Sequence, residues 1–476
     1  MQQSHFSIVI AKRVQQQRRR HYQLTSTYLR FCLVLRLFEI PSLRPFTVPP
    51  NLSPFLRTQN RNIFNTLFRH KCRNKFSPLM KSISSSQNQS LVESLSTNGI
   101  PTTWDDVINS STKNSLLTQT DIIMRTVPKL TSSSHKGSSG RVGILGGSER
   151  YTGAPYYAAM AALQTGVDLV YIFCAQEATI PIKSYSPELM VQSVYSAQVF
   201  NDWIKESSFN NDNTILSSPN AIMTSNTETT LVHEMAQQVI DMLDRLHCLI
   251  IGPGLGRCPL VFKATSRIIQ QAIHRDISLV LDADALYMLT MDEFQYLIPA
   301  LTQRPMSNTI LTPNVVEYNN FVGKIGNGSE QTLKLKMNNI ILIRKGSQDV
   351  IQCFRSISSL SQDTSTRWRN DEIDYMICDE KGGLKRCGGL GDILSGCVGA
   401  FTAWFTILNK SQTGDYNSAS LAMCNLVLSC WLACCLTKRA TYKAFVMKKR
   451  SMASPDVLQN IGEVMNDIAS SSIQTS

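Results

Sequence analysis

Residues 386–396 read Arg386-Cys387-Gly388-Gly389-Leu390-Gly391-Asp392-Ile393-Leu394-Ser395-Gly396 and open an apolar stretch. Three glycines ahead of a helix leave a run of backbone N–H groups without intrahelical acceptors, at the positive end of the helix dipole. Such a run is a ready anion hole. A carboxylate beside it opposes phosphate, so Asp392 either performs proton chemistry or is an ordinary N-terminal helix charge. The pairing of hole and acid is the most specific signal in the chain.

A helix of this kind needs a sheet edge beside it. After Thr103, short apolar runs alternate with amphipathic ones, which predicts βαβ units. Strands are expected at residues 141–145, 168–174, 249–251, 279–281, 309–311, 340–343 and 349–353. Helices are expected at 154–165, 231–246, 261–274 and 292–297, with a last helical block at 390–408 and 421–436. The fold class is therefore α/β, with a mostly parallel central sheet and helices on both faces. Two polar, Ser/Asn/Asp-rich stretches, 201–230 and 356–380, read as loops.

Three more turns follow predicted strands. Gly143-Ile-Leu-Gly-Gly147 leads to Tyr151-Thr-Gly-Ala-Pro155, where Pro155 suits a first helical turn whose amides face a ligand. Gly252-Pro-Gly-Leu-Gly256 lacks both the Lys-Ser/Thr of a P-loop and GxGxxG spacing, so it reads as a place of close backbone approach or as a plain turn. Asp282-Ala-Asp284 ends a buried strand, the usual ligand edge of an open α/β sheet. One of these acids is expected to cap the next helix, leaving the other free to hold a metal through water.

The chain has 476 residues and a net charge of +12, but fifteen Lys/Arg against Glu39 alone in residues 1–90 account for +14, leaving −2 for the rest. The body's composition therefore gives no reason to expect nucleic-acid binding. The Arg- and Ser-rich, acid-poor leader reads either as a mitochondrial transit peptide or as sequence upstream of a true start at Met80. Mitochondrial or cytoplasmic placement follows accordingly. Thirteen cysteines without a CxxC pair suit reduced, buried thiols. Residues 28–38 are too short for a span, and 420–436 read as a buried core helix, so no membrane is expected.

These motifs resemble, in order, the ATP-dependent NAD(P)H-hydrate dehydratases of the ribokinase-like superfamily. The matching pieces are His135-Lys-Gly137, Gly143 to Gly147, Tyr151 to Pro155, Tyr185-Ser-Pro-Glu-Leu189, Gly252 to Gly256, Asp282-Ala-Asp284, Leu311-Thr-Pro-Asn-Val-Val-Glu317, Lys345-Gly-Ser-Gln-Asp349 and Arg386 to Asp392. The likeness spans residues 121–469. It implies a basic leader at 1–97, one ribokinase-like domain at 98–470 and a tail at 471–476.

What the resemblance implies is cofactor repair: the ring hydroxyl of hydrated NADH or NADPH is phosphorylated by ATP, and phosphate is then eliminated. It places Lys345, Gly346, Ser347, Gln348 and Asp349, with Gly382, Gly383, Leu384, Lys385, Arg386, Cys387, Gly388, Gly389, Leu390 and Gly391, against ATP. It places Gly254, Gly256, Asn314, Val315, Val316, Glu317, Tyr318, Asn319 and Asn320, with Asp392, against the hydrated cofactor. Asp392 is the catalytic base. Mg²⁺ is expected with ATP, although no motif names its ligands. A separate epimerase is the implied partner, since the basic leader has no counterpart of that domain, and an oligomer is allowed. Departures from the family pattern are Leu390 in place of Gln, Gly-Ser-Gln-Asp in place of Gly-Glu-Arg-Asp after Lys345, and a long 356–380 stretch. A kinase of a vitamin precursor or sugar alcohol, from the same superfamily, is the alternative. A side chain at Gly389 is expected to intrude on phosphate rather than on packing.

Overall fold

The computed structural model describes residues 101–109, 118–211, 219–304, 308–354, 375–410 and 417–470. Among these, nine strands form one sheet in the order β3-β2-β1-β4-β5-β6-β7-β8-β9. They are β1 (Arg141–Leu145), β2 (Leu169–Ala175), β3 (Met190–Tyr195), β4 (Cys248–Ile251), β5 (Ser278–Leu281), β6 (Thr309–Leu311), β7 (Ile341–Arg344), β8 (Asp349–Cys353) and β9 (Tyr375–Cys378). Pairing is parallel from β3 through β7 and antiparallel for β7–β8 and β8–β9.

The helices, in chain order, are α1 (Trp104–Asn109), α2 (Gln119–Thr126), α3 (Gly153–Thr165), α4 (Gln176–Tyr185), α5 (Ala197–Asn211), α6 (Pro219–Ile240) and α7 (Pro259–His274). They continue as α8 (Ala283–Leu289), α9 (Leu297–Thr302), α10 (Val315–Lys324), α11 (Glu330–Lys336), α12 (Leu390–Lys410), α13 (Asn417–Lys448) and α14 (Ser454–Ala469).

Strand residues divide by parity, as the two-residue period of a strand requires. Val142, Ile144, Cys248, Ile250 and Val280 enter a core layer with α3, α12, α13 and α14. Leu145, Leu249, Ile251, Leu279 and Leu281 enter a second layer with α6, α7, α9 and α10. With both faces covered, the central strands have no polar side to show, which is why they read as unbroken apolar runs. Helices α12 and α13 are long and apolar enough to cross a membrane, and here 72% and 78% of their most apolar windows are buried in the molecule. Phe401 and Trp431 within them are fully buried.

The strand order reverses between β1 and β4: β2 and β3 lie to one side, β4 onward to the other. Loops diverge at such a switch point and leave a crevice at the carboxyl ends of the strands. The loops after β1, β4, β5, β6 and β7 all emerge there.

Several sequence expectations need correction. Residues 201–230 were expected as loop, yet α5 and α6 occupy most of them. Val232, Met235, Ala236 and Val239 recur at helical spacing and are buried, so packing overrides the weak helix propensity of the polar residues before them. The expected helix at 292–297 is a 3₁₀ turn, Asp292–Phe294, followed by α9. In the stretch 356–380, residues 375–378 form β9, while 355–374 lie outside the described residues, as do the leader 1–97 and the tail 471–476. Edge strand β3 was missed because its half-exposed residues carry no apolar run.

Candidate active site

Asp282 follows β5 and caps α8, its Oδ1 accepting from the Ala283 N–H at 2.9 Å. The same oxygen lies 2.8 Å from Lys345 Nζ, and the Asp282 side chain is only 2% exposed. Lys345 follows β7, and its backbone N–H donates to Pro313 O at 2.9 Å, tying this turn to the loop after β6. That loop ends in a capping box: Asn314 Oδ1 accepts from Val316 and Glu317 N–H groups, and Glu317 Oε2 accepts from Asn314 N–H. Three loops thus converge on one ammonium group.

The start of α12 faces that ammonium. A Cβ added to Gly391 would meet Lys345 Nζ at 3.4 Å and nothing nearer. Asp392, one residue on, has its pKa pushed up to about 7, first by burial and then by the Asp282 charge, with Lys345 acting in the opposite sense and Asp284 and Glu317 adding to the rise. Burial opposes charge on Lys345, yet Asp282 and Glu317 hold its pKa above the ordinary value. Burial likewise raises Glu317. The result is a cation set among four carboxylic groups, one of which gains or loses its proton near neutrality. A group poised there suits general-base chemistry.

Three cavities flank this cluster. The first, about 900 Å³, is lined by Asn314, Lys345, Gly346, Ser347, Asp349, Gly382, Gly383, Leu384, Arg386, Cys387, Leu390 and Gly391. The second, about 270 Å³, takes Asn314, Val316, Glu317 and Asn320 together with Arg257, Asp284 and Tyr287. The third, about 750 Å³, opens at the switch point and takes Gly254 and Gly256 with Tyr151, Tyr195, Arg257 and Asp284. Neighbouring cavities share walls: Asn314 between the first and second, Arg257 and Asp284 between the second and third.

Residues 142–452 match the NAD(P)H-hydrate dehydratase family. The chain belongs to that family. It is 32% identical over 356 residues to the ATP-dependent (S)-NAD(P)H-hydrate dehydratase of Rattus norvegicus, covering 73% of this chain and 84% of that one. With the enzyme of the same name from Pediculus humanus subsp. corporis it shares 36% identity over 343 residues, covering 70% and 91%. Among solved structures it is similar to an ADP/ATP-dependent NAD(P)H-hydrate dehydratase from Bacillus subtilis co-crystallised with ATP/Mg²⁺, at 17% identity and a TM-score of 0.42, covering 74% and 97%.

Against this family background, the placement of the expected site residues is uneven. Gln348, Lys385, Gly388 and Gly389 do not line the first cavity. Val315, Tyr318 and Asn319 line none of the three; Tyr318 is buried in the second core layer, under the Arg344 guanidinium at 5.1 Å. Asp349 reaches the first cavity, but its carboxylate is committed to the turn: Oδ1 accepts from Gly346 N–H at 2.8 Å and Oδ2 pairs with Lys438 Nζ at 3.4 Å. Lys438 also donates to Gly346 O and Ser347 O. Sequence reading passed over Lys438, because it lies within the long apolar helix α13 with no motif around it. Arg257 and Tyr287 adjoin quoted motifs, but their stacking is visible only in space.

Gly389 is a correction. Its φ is +94°, and an added Cβ would stand 2.7 Å from Ser454 Oγ and 2.8 Å from the Tyr157 ring, so a side chain there strikes packing rather than phosphate. Neither acid of the Asp282-Ala-Asp284 strand end is left without a partner. Asp282 is taken by Lys345 and the α8 cap, and Asp284 accepts from Gly256 N–H at 3.0 Å and Arg257 Nε at 3.1 Å. Among the described residues no group of three or more His, Cys, Asp or Glu is placed to hold a metal ion.

Proposed function

We propose that this chain repairs hydrated nicotinamide cofactors, converting (6S)-NADH and (6S)-NADPH hydrates to NADH and NADPH with ATP. The observation that carries the reading is Asp392, half-buried at the N-terminus of α12 beside Lys345 with its pKa raised to about 7. ATP occupies the first cavity, with its terminal phosphate toward Gly391 and Lys345. Asp392 accepts the proton of the ring hydroxyl, whose oxygen attacks the terminal phosphorus while ADP departs. First-turn amides of α12 and the Lys345 ammonium stabilise charge on the transferring group. Phosphate then leaves as the ester's ring C–O bond breaks, and the adjacent ring carbon gives up a proton to the departing phosphate or to water, which restores the ring double bond. ADP, phosphate and the reduced cofactor are the products.

Magnesium, when bound with ATP, neutralises charge on the triphosphate. Of the carboxylates lining this cavity, Asp349 is paired with Lys438 and Glu380 with Arg439, and Asp282 nearby is paired with Lys345, which supports an ion carried mainly by phosphate oxygens and water, with Asp379 at the cavity wall. We also propose that the leader is a mitochondrial import signal; a fluorescent fusion of residues 1–90 that stays cytosolic removes that placement and leaves the enzyme reading untouched. A separate epimerase would supply the S form from the other epimer.

The test is an assay of protein starting at Asn98 with hydrated NADH and ATP. Release of phosphate together with return of the reduced-nicotinamide absorbance is the expected result. A stable phosphoester, with no return of absorbance, would instead identify a small-molecule kinase.

A further inference from the structure

The second and third cavities differ in size and share one wall. That wall is Asp284 with Arg257, which follows the glycine turn after β4. Its guanidinium lies over the Tyr287 ring, 4.0 Å from the centroid, and its Nε is held by Asp284 Oδ1 at 3.1 Å. Asp284 is itself fixed by the Gly256 N–H. The stack and the ion pair set the orientation of the guanidinium plane, yet 61% of the side chain remains exposed. Nε is the nitrogen bonded to Asp284, and the side chain lines both cavities.

A hydrated nicotinamide dinucleotide has matching parts: a small, polar ring-and-ribose half, a larger adenosine half, and a doubly charged pyrophosphate between them. The second cavity, about 270 Å³, has room for one half but not for both. It also adjoins the Asn314–Lys345 side of the cluster, where the ring hydroxyl must lie. The third cavity, about 750 Å³, offers Tyr151 and Tyr195 as apolar surface and Arg150 as a second cation, with Glu149 and Asp284 as its acids.

We propose that Arg257 is the pyrophosphate clamp of the dinucleotide, holding the nicotinamide half in the small cavity and sending the adenosine half into the switch-point cavity. Arginine suits this role because its planar fork pairs two oxygens at once and can stay stacked while doing so. The role is binding and positioning; the proton chemistry stays with Asp392. The inference rests on the dinucleotide reading above, and its test is independent of turnover.

The experiment is equilibrium titration of full-length protein with two probes, NADH and reduced nicotinamide riboside, which has no phosphate. Wild type, Arg257→Gln and Arg257→Lys are compared, each with a thermal melt. Hydrogen bonds to a charged partner are each worth about 1.5–3 kcal/mol, so Arg257→Gln should weaken NADH roughly 10- to 100-fold. The riboside should change less than about threefold, and Arg257→Lys should fall between. If both probes weaken equally, Arg257 acts only by shaping the 252–256 turn, and the clamp is overturned. If NADH binds Arg257→Gln as tightly as wild type, it is overturned as well. Should wild type bind as expected yet fail to dehydrate hydrated NADH with ATP, the clamp stands and the dehydratase reading falls.

Discussion

The turns Gly252-Pro-Gly-Leu-Gly256 and Gly388-Gly-Leu-Gly391 are near twins in sequence but sit in different surroundings. At Gly252 an added Cβ would fall 1.8 Å from Asp282 O, and at Gly254 it would fall 2.9 Å from Tyr151 Cβ. Here glycine is demanded by the protein's own backbone. At Gly388 an added Cβ meets nothing within 4 Å, and at Gly391 it meets only Lys345 Nζ. Apart from Gly389, the second turn is open toward space that protein does not fill. Similar composition therefore serves close packing in one turn and an unfilled approach in the other, and only the neighbours distinguish them.

The largest expected effect lies in the open turn. Asp392→Asn should fold and bind ATP yet lose kcat by roughly 10²–10⁴, the usual cost of removing a general base. In wild type, kcat/KM should rise with pH through about 7, because Asp392 works ionised and burial holds its pKa there. Near-normal turnover of the variant in a steady-state assay would remove Asp392 as the base.

The packed turn should answer in stability instead. Gly252→Ala forces a methyl against Asp282 O at a φ of +124°, which should cost about 3–5 kcal/mol. Denaturant midpoints read this directly, and an unchanged midpoint would break the comparison. Gly391→Ala is the counterpart. Alanine is a good helix residue, so its melt should stay within about 1 kcal/mol of wild type. Its methyl beside Lys345 should nonetheless lower kcat/KM for ATP about tenfold, well below the cost of losing a whole oxyanion-hole donor. Unchanged kinetics would mean that phosphate does not pass this point.

The smallest effect concerns Asp392 and stability. Its folded pKa lies above that of the unfolded chain, so this carboxyl favours the fold most below about pH 4, and that contribution is lost as pH rises toward 7. Asp392→Asn removes the burden. Relative to wild type, the variant should gain about 1–3 kcal/mol at pH 8 over its standing at pH 4.5. Parallel melts at the two pH values check this, and a gap that does not widen would place the carboxyl in a more solvated setting.

Most of the parallel sheet was legible because doubly buried strands are apolar without interruption. Edge strand β3 lacks that signature, whereas β9 carries it at Tyr375–Cys378 but is only four residues long and lies at the end of a polar stretch. The capping box at Asn314 and Glu317 was legible as a motif, but its closeness to Lys345 was not. Of the residues the resemblance points to, those backed by a strand end, such as Asp282, Asn314 and Lys345, come together in space. Tyr318 and Asn319 follow them in sequence, but α10 turns them away from the cavities.

By itself the sequence determined the α/β class, the family and the glycine-and-acid turn at the head of α12, because these depend on residue type at fixed local spacing. It also separated the basic leader from a slightly acidic body, since charge adds without regard to folding. Only the tertiary structure decided which glycine turn is closed, that Asp282 belongs to Lys345, and that Lys438 fastens the turn carrying Asp349. Those facts join residues 63 and about 90 positions apart in the chain. The proton affinity of Asp392 is of the same kind, being set by burial and by three carboxylic groups brought in from other loops. Sequence spacing does not encode such distances; packing the loops at one sheet edge creates them.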